Sequence, residues 1–263
     1  MTECIHGLDE DLCDICTPRP APEPPAPAAR PSRSAASRPP GGPRRTPVRA
    51  AGTRSTPVET LPDVNLATMR AHHWTHIDNL ESILRDGELR AGARPELDVS
   101  SPERRESRAA AAVPTGESVS DFVPFALSPD AATWDEVRHG ADGPGWSAAA
   151  RGTRPTDFVV LVVPVAALGE DFVVADGEAA GALTRFGTGP VEGGATARRA
   201  AIADPALANI EVLVPGVVAV SSVTLIGVPN DRMRDRVREL LVTVGVAAVR
   251  VAVYPPWFKP SEA

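Results

Sequence analysis

No aromatic residue precedes Trp74. All four Trp, all six Phe and the single Tyr lie from there onward. Aromatic side chains bury more area per residue than any others, so a core has to be sought beyond that point. Residues 18–60 hold 12 of the 28 prolines among Ala, Arg, Ser and Gly. Such a composition buries too little apolar surface to offset its chain entropy, which predicts a disordered linker over 18–62. Residues 63–263, roughly 200 in number, are enough for one substantial core.

The first stretch able to fold is His72-His73-Trp74-Thr75-His76-Ile77-Asp78-Asn79-Leu80, with three of the five histidines. Asp78 is placed to cap a helix, and Glu81 follows three residues later in a capping-box arrangement. Leu80, Ile83 and Leu84 share one helical face, and Gly87 is suited to a left-handed stop. The histidines are therefore expected on a strand or turn that feeds a short buried helix.

Charge divides the chain into three. Residues 1–16 carry −5, residues 17–60 carry +6 and the remainder −8, which together make the net −7. An acidic main domain argues against broad electrostatic attachment to nucleic acid, though not against a local basic groove. The only lysine is Lys259, so a phosphate-loop or Schiff-base lysine within the core is excluded. No apolar run reaches the ~18 residues of a membrane span, and the N-terminus shows no apolar leader core. The expectation is a cytoplasmic protein with no membrane association.

All three cysteines fall in the first 16 residues, as Cys4-x-His6-x6-Cys13-x2-Cys16. Four N/S donors with a Cys-x2-Cys turn suit tetrahedral zinc, and residues 1–17 are expected to form a zinc knuckle that folds only with its metal. Four protein ligands leave no open position, so its role would be structural or partner-binding. The competing reading is three free thiols in a reducing compartment.

The folded domain reads as α+β, dominated by short strands with few helices. Apolar runs at 122–127, 158–165, 172–174, 210–214 and 222–228 predict strands. The run at 158–165 is apolar enough to be buried on both faces. Val249, Val251 and Val253 alternate with Arg250 and Ala252 in a half-exposed strand. Asn230 or Asp231 caps a helix bearing Val237, Leu240, Leu241 and Val244. The Gly-rich stretch 187–194 is expected to be a mobile loop.

Spacing alone leaves the chemistry open. The histidines fit a metal site, a base or a sheet edge. Arg104, Arg105 and Arg108 fit a solvated charge run. Glu211, inside the apolar strand Asn209-Ile210-Glu211-Val212-Leu213-Val214, either faces solvent from a sheet edge or is held in a cleft. No dinucleotide fingerprint, phosphate loop, nucleophile elbow or metalloprotease motif is present.

Taken in order, however, these blocks resemble a family. His73-Trp74-Thr75-His76-Ile77-Asp78-Asn79-Leu80-Glu81-Ser82-Ile83-Leu84 is similar to the opening of the DarT-like ADP-ribosyltransferases, bacterial toxins related to the poly(ADP-ribose) polymerase fold. Asp121-Phe122-Val123-Pro124-Phe125 resembles a second block, with the Arg cluster upstream of it. Glu211-Val212-Leu213-Val214-Pro215 resembles a third, and Val174-Ala175-Asp176-Gly177 matches an Asp-Gly turn. The resemblance runs over about residues 70–228.

It implies a split β-sheet, NAD+ as donor, a base of single-stranded DNA as acceptor, and a macrodomain-type antitoxin as partner. His73 and Thr75 would hold the nicotinamide ribose or amide, with Asn79 among the NAD+ contacts. Glu211 would be the catalytic glutamate. One of Arg104, Arg105 and Arg108 would be the active-site arginine, with Arg105 first by spacing and Arg108 beside it. An arginine next to Glu211 would keep that carboxylate ionised. Residues 187–209 would correspond to a mobile substrate-facing loop. His76 would be structural, and His72 has no role. Phe122 and Ile210 stand where the family has Tyr and Ala, near the acceptor side. Competing expectations are an acceptor that is protein, RNA or water, and a non-enzymatic zinc-binding adaptor.

Overall fold

The computed structural model describes residues 63–246 and 249–261. Cys4, His6, Cys13, Cys16 and the Pro-rich linker lie outside the described residues. The histidine stretch is β1 (Arg70–His76), which runs directly into α1 (Ile77–Asp86). Then follow β2 (Glu88–Arg90), α2 (Pro102–Ala110), β3 (Phe122–Ala126), α3 (Ala132–Arg138), α4 (Ala148–Arg151), β4 (Phe158–Pro164), β5 (Val173–Ala175) and β6 (Phe186–Thr188). The chain continues through α5 (Gly189–Ala203), β7 (Glu211–Pro215), β8 (Val217–Ala219), β9 (Leu225–Val228), α6 (Asp231–Val244) and β10 (Arg250–Val253).

Eight strands form one sheet in the order β10-β9-β4-β1-β3-β7-β5-β6, and β2 and β8 pair separately. All neighbours in the large sheet are antiparallel except β9 and β10. The sheet is in effect two halves. β1 matches β4 over seven residue pairs, but meets β3 only where His72 faces Ala126. Pro124 accounts for the break. Its carbonyl points toward β1, where the His73 ring reaches it. In an antiparallel strand the N–H and C=O of one residue share an edge, so the donor that proline lacks is the one β1 would need.

Strand β4 is buried along its length, as its composition predicts, and it serves two cores. Val159, Leu161 and Val163 face α1, α5 and α6 in the larger apolar cluster. Phe158, Val160 and Val162 face Trp134, Trp146 and Phe258 on the other side.

Two local expectations are corrected. The N-cap of α1 is His76, whose ring nitrogen accepts from the Asp78 backbone N–H at 3.3 Å. His76 is still paired with Phe158 of β4, so the chain leaves the sheet and enters the helix at that residue. Asp78 then lies in the first turn, where its charge favours the helix dipole. Gly87 stops the helix at φ 75°, as expected.

The Gly-rich stretch is no loop: it is β6 and the start of a 15-residue helix, α5. Its glycines serve close packing. A Cβ on Gly193 would come within 2.7 Å of Val174 Cγ2, which is fully buried in β5. The same Cβ on Gly194 would meet only the Arg198 guanidinium, at 3.3 Å.

This contrast is testable by thermal or urea denaturation. Gly193→Ala is expected to destabilise by about 1–2 kcal/mol, because overpacking against Val174 outweighs the helix-propensity gain. Gly194→Ala is expected to be neutral or stabilising by up to about 1 kcal/mol.

Candidate active site

Glu211 opens β7. Its cross-strand partners are Ala126, the last residue of β3, and Ala175, the last of β5. Residues opposite one another share a face. Two alanines beside it therefore leave the carboxylate room at the end of three strands, next to the split. Its side chain is only 12% exposed.

Helix α2 supplies the counter-charge. Ser101 caps it, its Oγ accepting from the Arg104 N–H at 3.1 Å. Positions 104 and 108 are one turn apart and lie on the same face, whereas 105 is rotated about 100° away. Arg108 Nη1 donates to Glu211 Oε2 at 3.1 Å and to Glu178 Oε1 at 2.7 Å. Arg104 pairs with the other Glu178 oxygen and lies over the Trp146 ring at 4.9 Å. Arg105 points elsewhere, bonding Asp98 and the Ser100 carbonyl. Its side chain is 46% exposed against 14% for Arg108. The Arg next to Glu211 is thus Arg108, and the cluster is no solvated run.

Arg108 stands beside Glu211 and favours its ionised form, but burial acts against it. Burial pushes the Glu211 carboxyl above the ordinary glutamate range, and Glu178 adds to the rise against the pull of Arg108 and Arg104. Burial works against the Arg108 charge as well, but Glu211 and Glu178 hold that guanidinium above its ordinary value. The site combines a fixed cation with a carboxylate that binds a proton more readily than usual, a combination suited to proton transfer.

Across the split, the His73 ring takes the place of the missing ladder at Pro124, and the His72 ring adds a contact at the one pair that is made. His73 Nδ1 lies 2.9 Å from the Pro124 carbonyl, and His72 Nδ1 3.3 Å from that of Ala126. A carbonyl only accepts, so Nδ1 carries the proton in each ring. Burial lowers the pKa of both rings and holds them neutral, leaving Nε2 as an acceptor. His73 lines both of two adjoining recesses along the split. Its Nε2 is chemically suited to a ribose hydroxyl or a carboxamide N–H.

One recess, about 760 Å³, contains Glu211, Arg104 and Arg108 among Trp74, Trp134 and Trp146. The other, about 1550 Å³ with its open mouth, contains Thr75 and the 91–100 segment. Trp74 and Trp134 stack at 5.5 Å. Two buried donors of the first recess, Trp74 Nε1 and Arg108 Nη2, have no acceptor among the described residues.

Asn79, expected among the NAD+ contacts, braces the 91–100 segment in this structure. Its carbonyl accepts from the Leu97 N–H, and its amide donates to the Leu97 carbonyl, each at 2.9 Å. It also reaches Thr75 Oγ1 at 3.4 Å. Both ends of the side chain are occupied in fixing the wall of the larger recess.

The sequence reading passed over Glu178, which follows the Asp176-Gly177 turn directly. It passed over the Trp134 and Trp146 walls too. Among the described residues, no group of three or more His, Cys, Asp or Glu is placed to hold a metal. No described helix is long and apolar enough to cross a membrane.

The sequence model of the family described as "ssDNA thymidine ADP-ribosyltransferase, DarT" matches residues 72–195. The Thermus sp. 2.9 DarT in complex with ADP-ribosylated ssDNA is 25% identical with a TM-score of 0.61, over 72% of this chain and 96% of that one. The same protein in complex with NAD+ is 26% identical with a TM-score of 0.59, over 75% and 99%. Thermosipho africanus DarTG in complex with ADP-ribose is alike in fold only, at 16% identity and a TM-score of 0.54, over 72% of this chain and 51% of that one. No curated protein matches the chain.

His72 gives the site an acid sensitivity. Burial is the main cause lowering its pKa to about 4, against 6.5 for the ordinary ring. The unfolded chain therefore binds a proton that the folded chain refuses between those values. Stability is complete above pH 6.5 and falls as pH drops toward 4. Urea denaturation at pH 7 and pH 5 is expected to show a loss of about 2 kcal/mol from this ring, a loss that His72→Gln removes.

Proposed function

We propose that this chain, DarT-like in sequence and in fold, transfers ADP-ribose from NAD+ to a base of single-stranded DNA. The observation that carries the reading is the buried Glu211–Arg108 pair at the split, inside a domain similar to one solved with NAD+ and with ADP-ribosylated DNA. Thymidine is the acceptor that the matching family's description names, and it is the first base to test.

In this reading His73, fixed by Pro124, and Thr75 orient the nicotinamide end of NAD+. The bond between the ribose C1′ and the nicotinamide nitrogen breaks, and its electron pair leaves with nicotinamide. C1′ becomes oxocarbenium-like, as in glycoside cleavage. The Glu211 carboxylate, hydrogen-bonded to a ribose hydroxyl, stabilises that charge. A base nitrogen then bonds to C1′, and its proton passes to Glu211 and on to solvent. Arg108 orients the carboxylate throughout, and its Nη2 is available to a phosphate or base carbonyl. The products are nicotinamide, ADP-ribosylated DNA and one proton. Such a modification obstructs copying of the strand, which supports a toxin role balanced by a macrodomain-type partner that removes ADP-ribose.

The test is to incubate the full chain with NAD+ and single-stranded oligonucleotides with and without thymine, reading mass and nicotinamide. One ADP-ribose per oligonucleotide is expected. Glu211→Gln should lower the rate about 10³-fold and Arg108→Ala about 10²-fold, while Arg105→Ala stays within a few-fold. Nicotinamide release without any nucleic-acid product would place the acceptor as water or protein. Absence of both products would sink the proposal.

A further inference from the structure

We infer that Glu178 is a positioning residue of this site: it clamps Arg104 and Arg108 over Glu211 and shares one guanidinium nitrogen between two carboxylates. The inference rests on the reading of Glu211 as the working carboxylate. Arg108 Nη1 contacts Glu178 Oε1 at 2.7 Å and Glu211 Oε2 at 3.1 Å. The second Glu178 oxygen takes Arg104, which is held from its other side by the Trp146 ring. Two arginines one turn apart on a helix repel each other when buried side by side. A carboxylate placed between them removes that cost and fixes both.

The Glu178 side chain is 36% exposed, but its backbone is anchored in a tight turn that aims it at α2. It sits in the turn between β5 and β6, closed at its base by Asp176, which accepts the Arg185 N–H at 2.7 Å. Its own carbonyl accepts from Gly181 N–H at 2.7 Å and Thr184 Oγ1 at 2.6 Å. The hairpin thus delivers a carboxylate to α2 across a separation of 74 positions in sequence.

The consequence is electrostatic. The charges facing Glu211 are Arg104 and Arg108 from α2, and Glu178 from the turn. The β1 rings His72 and His73 are held neutral by burial. Glu178 opposes the ionisation of Glu211 directly and draws off part of Arg108. Both actions keep Glu211 a stronger base than a lone Arg–Glu pair would allow. Without the Glu178 charge, Glu211 should ionise at lower pH and accept a proton less readily.

The test compares wild type with Glu178→Gln, which keeps the shape and an acceptor but loses the charge, and with Glu178→Asp, which keeps the charge. Two readouts are taken on the full chain: the pH profile of nicotinamide release, and the NMR titration of the Glu211 carboxyl carbon. In Glu178→Gln, both the acid limb and the titration are expected to move down by roughly half to one pH unit. The plateau rate should fall several-fold while KM for NAD+ stays within about two-fold. Glu178→Asp should move both back toward wild type. An unmoved limb and an unmoved titration in Glu178→Gln overturn the inference, whatever the rate does, since a merely structural role predicts that result. If Glu178→Gln does not fold, Glu178→Ala replaces it with the same expected direction. If wild type releases no nicotinamide, the proposed activity fails, and the Glu211 titration alone still decides the role of Glu178.

Discussion

The gap between β1 and β3 is the constraint on which the rest depends. A sheet of eight strands with continuous ladders would place its backbone groups in pairs and leave no entrance. Pro124 withholds a donor on the edge facing β1, and the two strands meet in register at one pair only, His72 and Ala126. The Pro124 carbonyl, left without a ladder partner, still needs a donor, and the His73 ring provides it, while the His72 ring reaches the Ala126 carbonyl at the one pair that is made. The same bonds fix the tautomer of each ring and set Nε2 free as an acceptor. One structural break therefore makes the opening and orients the groups beside it, while the end of β7, with Glu211, lies one strand in, beyond β3.

How much of this was legible follows from what each signal measures. Apolar runs report burial, and they located β3, β4, β5, β7, β9 and β10 to within a few residues. The α+β class and the split of the sheet were anticipated, the split only through a resemblance to a family. Glycine content, in contrast, reports conformational freedom only when nothing packs against the glycine. In α5 the fully buried Val174 lies under Gly193, so the missing side chain brings helix and sheet together. That neighbour is 19 positions away in the chain, and no local pattern announces it.

The arginines show the same limit at the site. Pro102 and Ser101 mark the start of a helix, and the helical period then pairs Arg104 with Arg108 and turns Arg105 outward. Counting residues from a family pattern favoured Arg105, whereas counting by turns favours Arg108. The period is readable, but a helix of charged residues also fits a solvated run, so the period alone does not say which face is used. What turns one face of this helix toward the site is the pairing of Arg104 and Arg108 with Glu178, an acidic residue in a distant turn.

The charge inventory also changes how an anionic substrate is recognised. Residues 61–263 carry −8 overall, and within the cleft Arg104 and Arg108 are matched by Glu178 and Glu211. The recess is locally near neutral in an acidic domain, so attraction at long range contributes little to binding. Recognition then falls to short-range groups. These are the His73 acceptor and the buried Trp74 and Arg108 donors without acceptors among the described residues. Directed hydrogen bonds suit unpaired bases, whose edges are open, better than a duplex, whose bases are paired and whose phosphates need a basic surface. The preference for single strands in this reading thus has a cause in the site itself: the cleft offers directed donors and an acceptor suited to open base edges, where a duplex binder would present a field of positive charge.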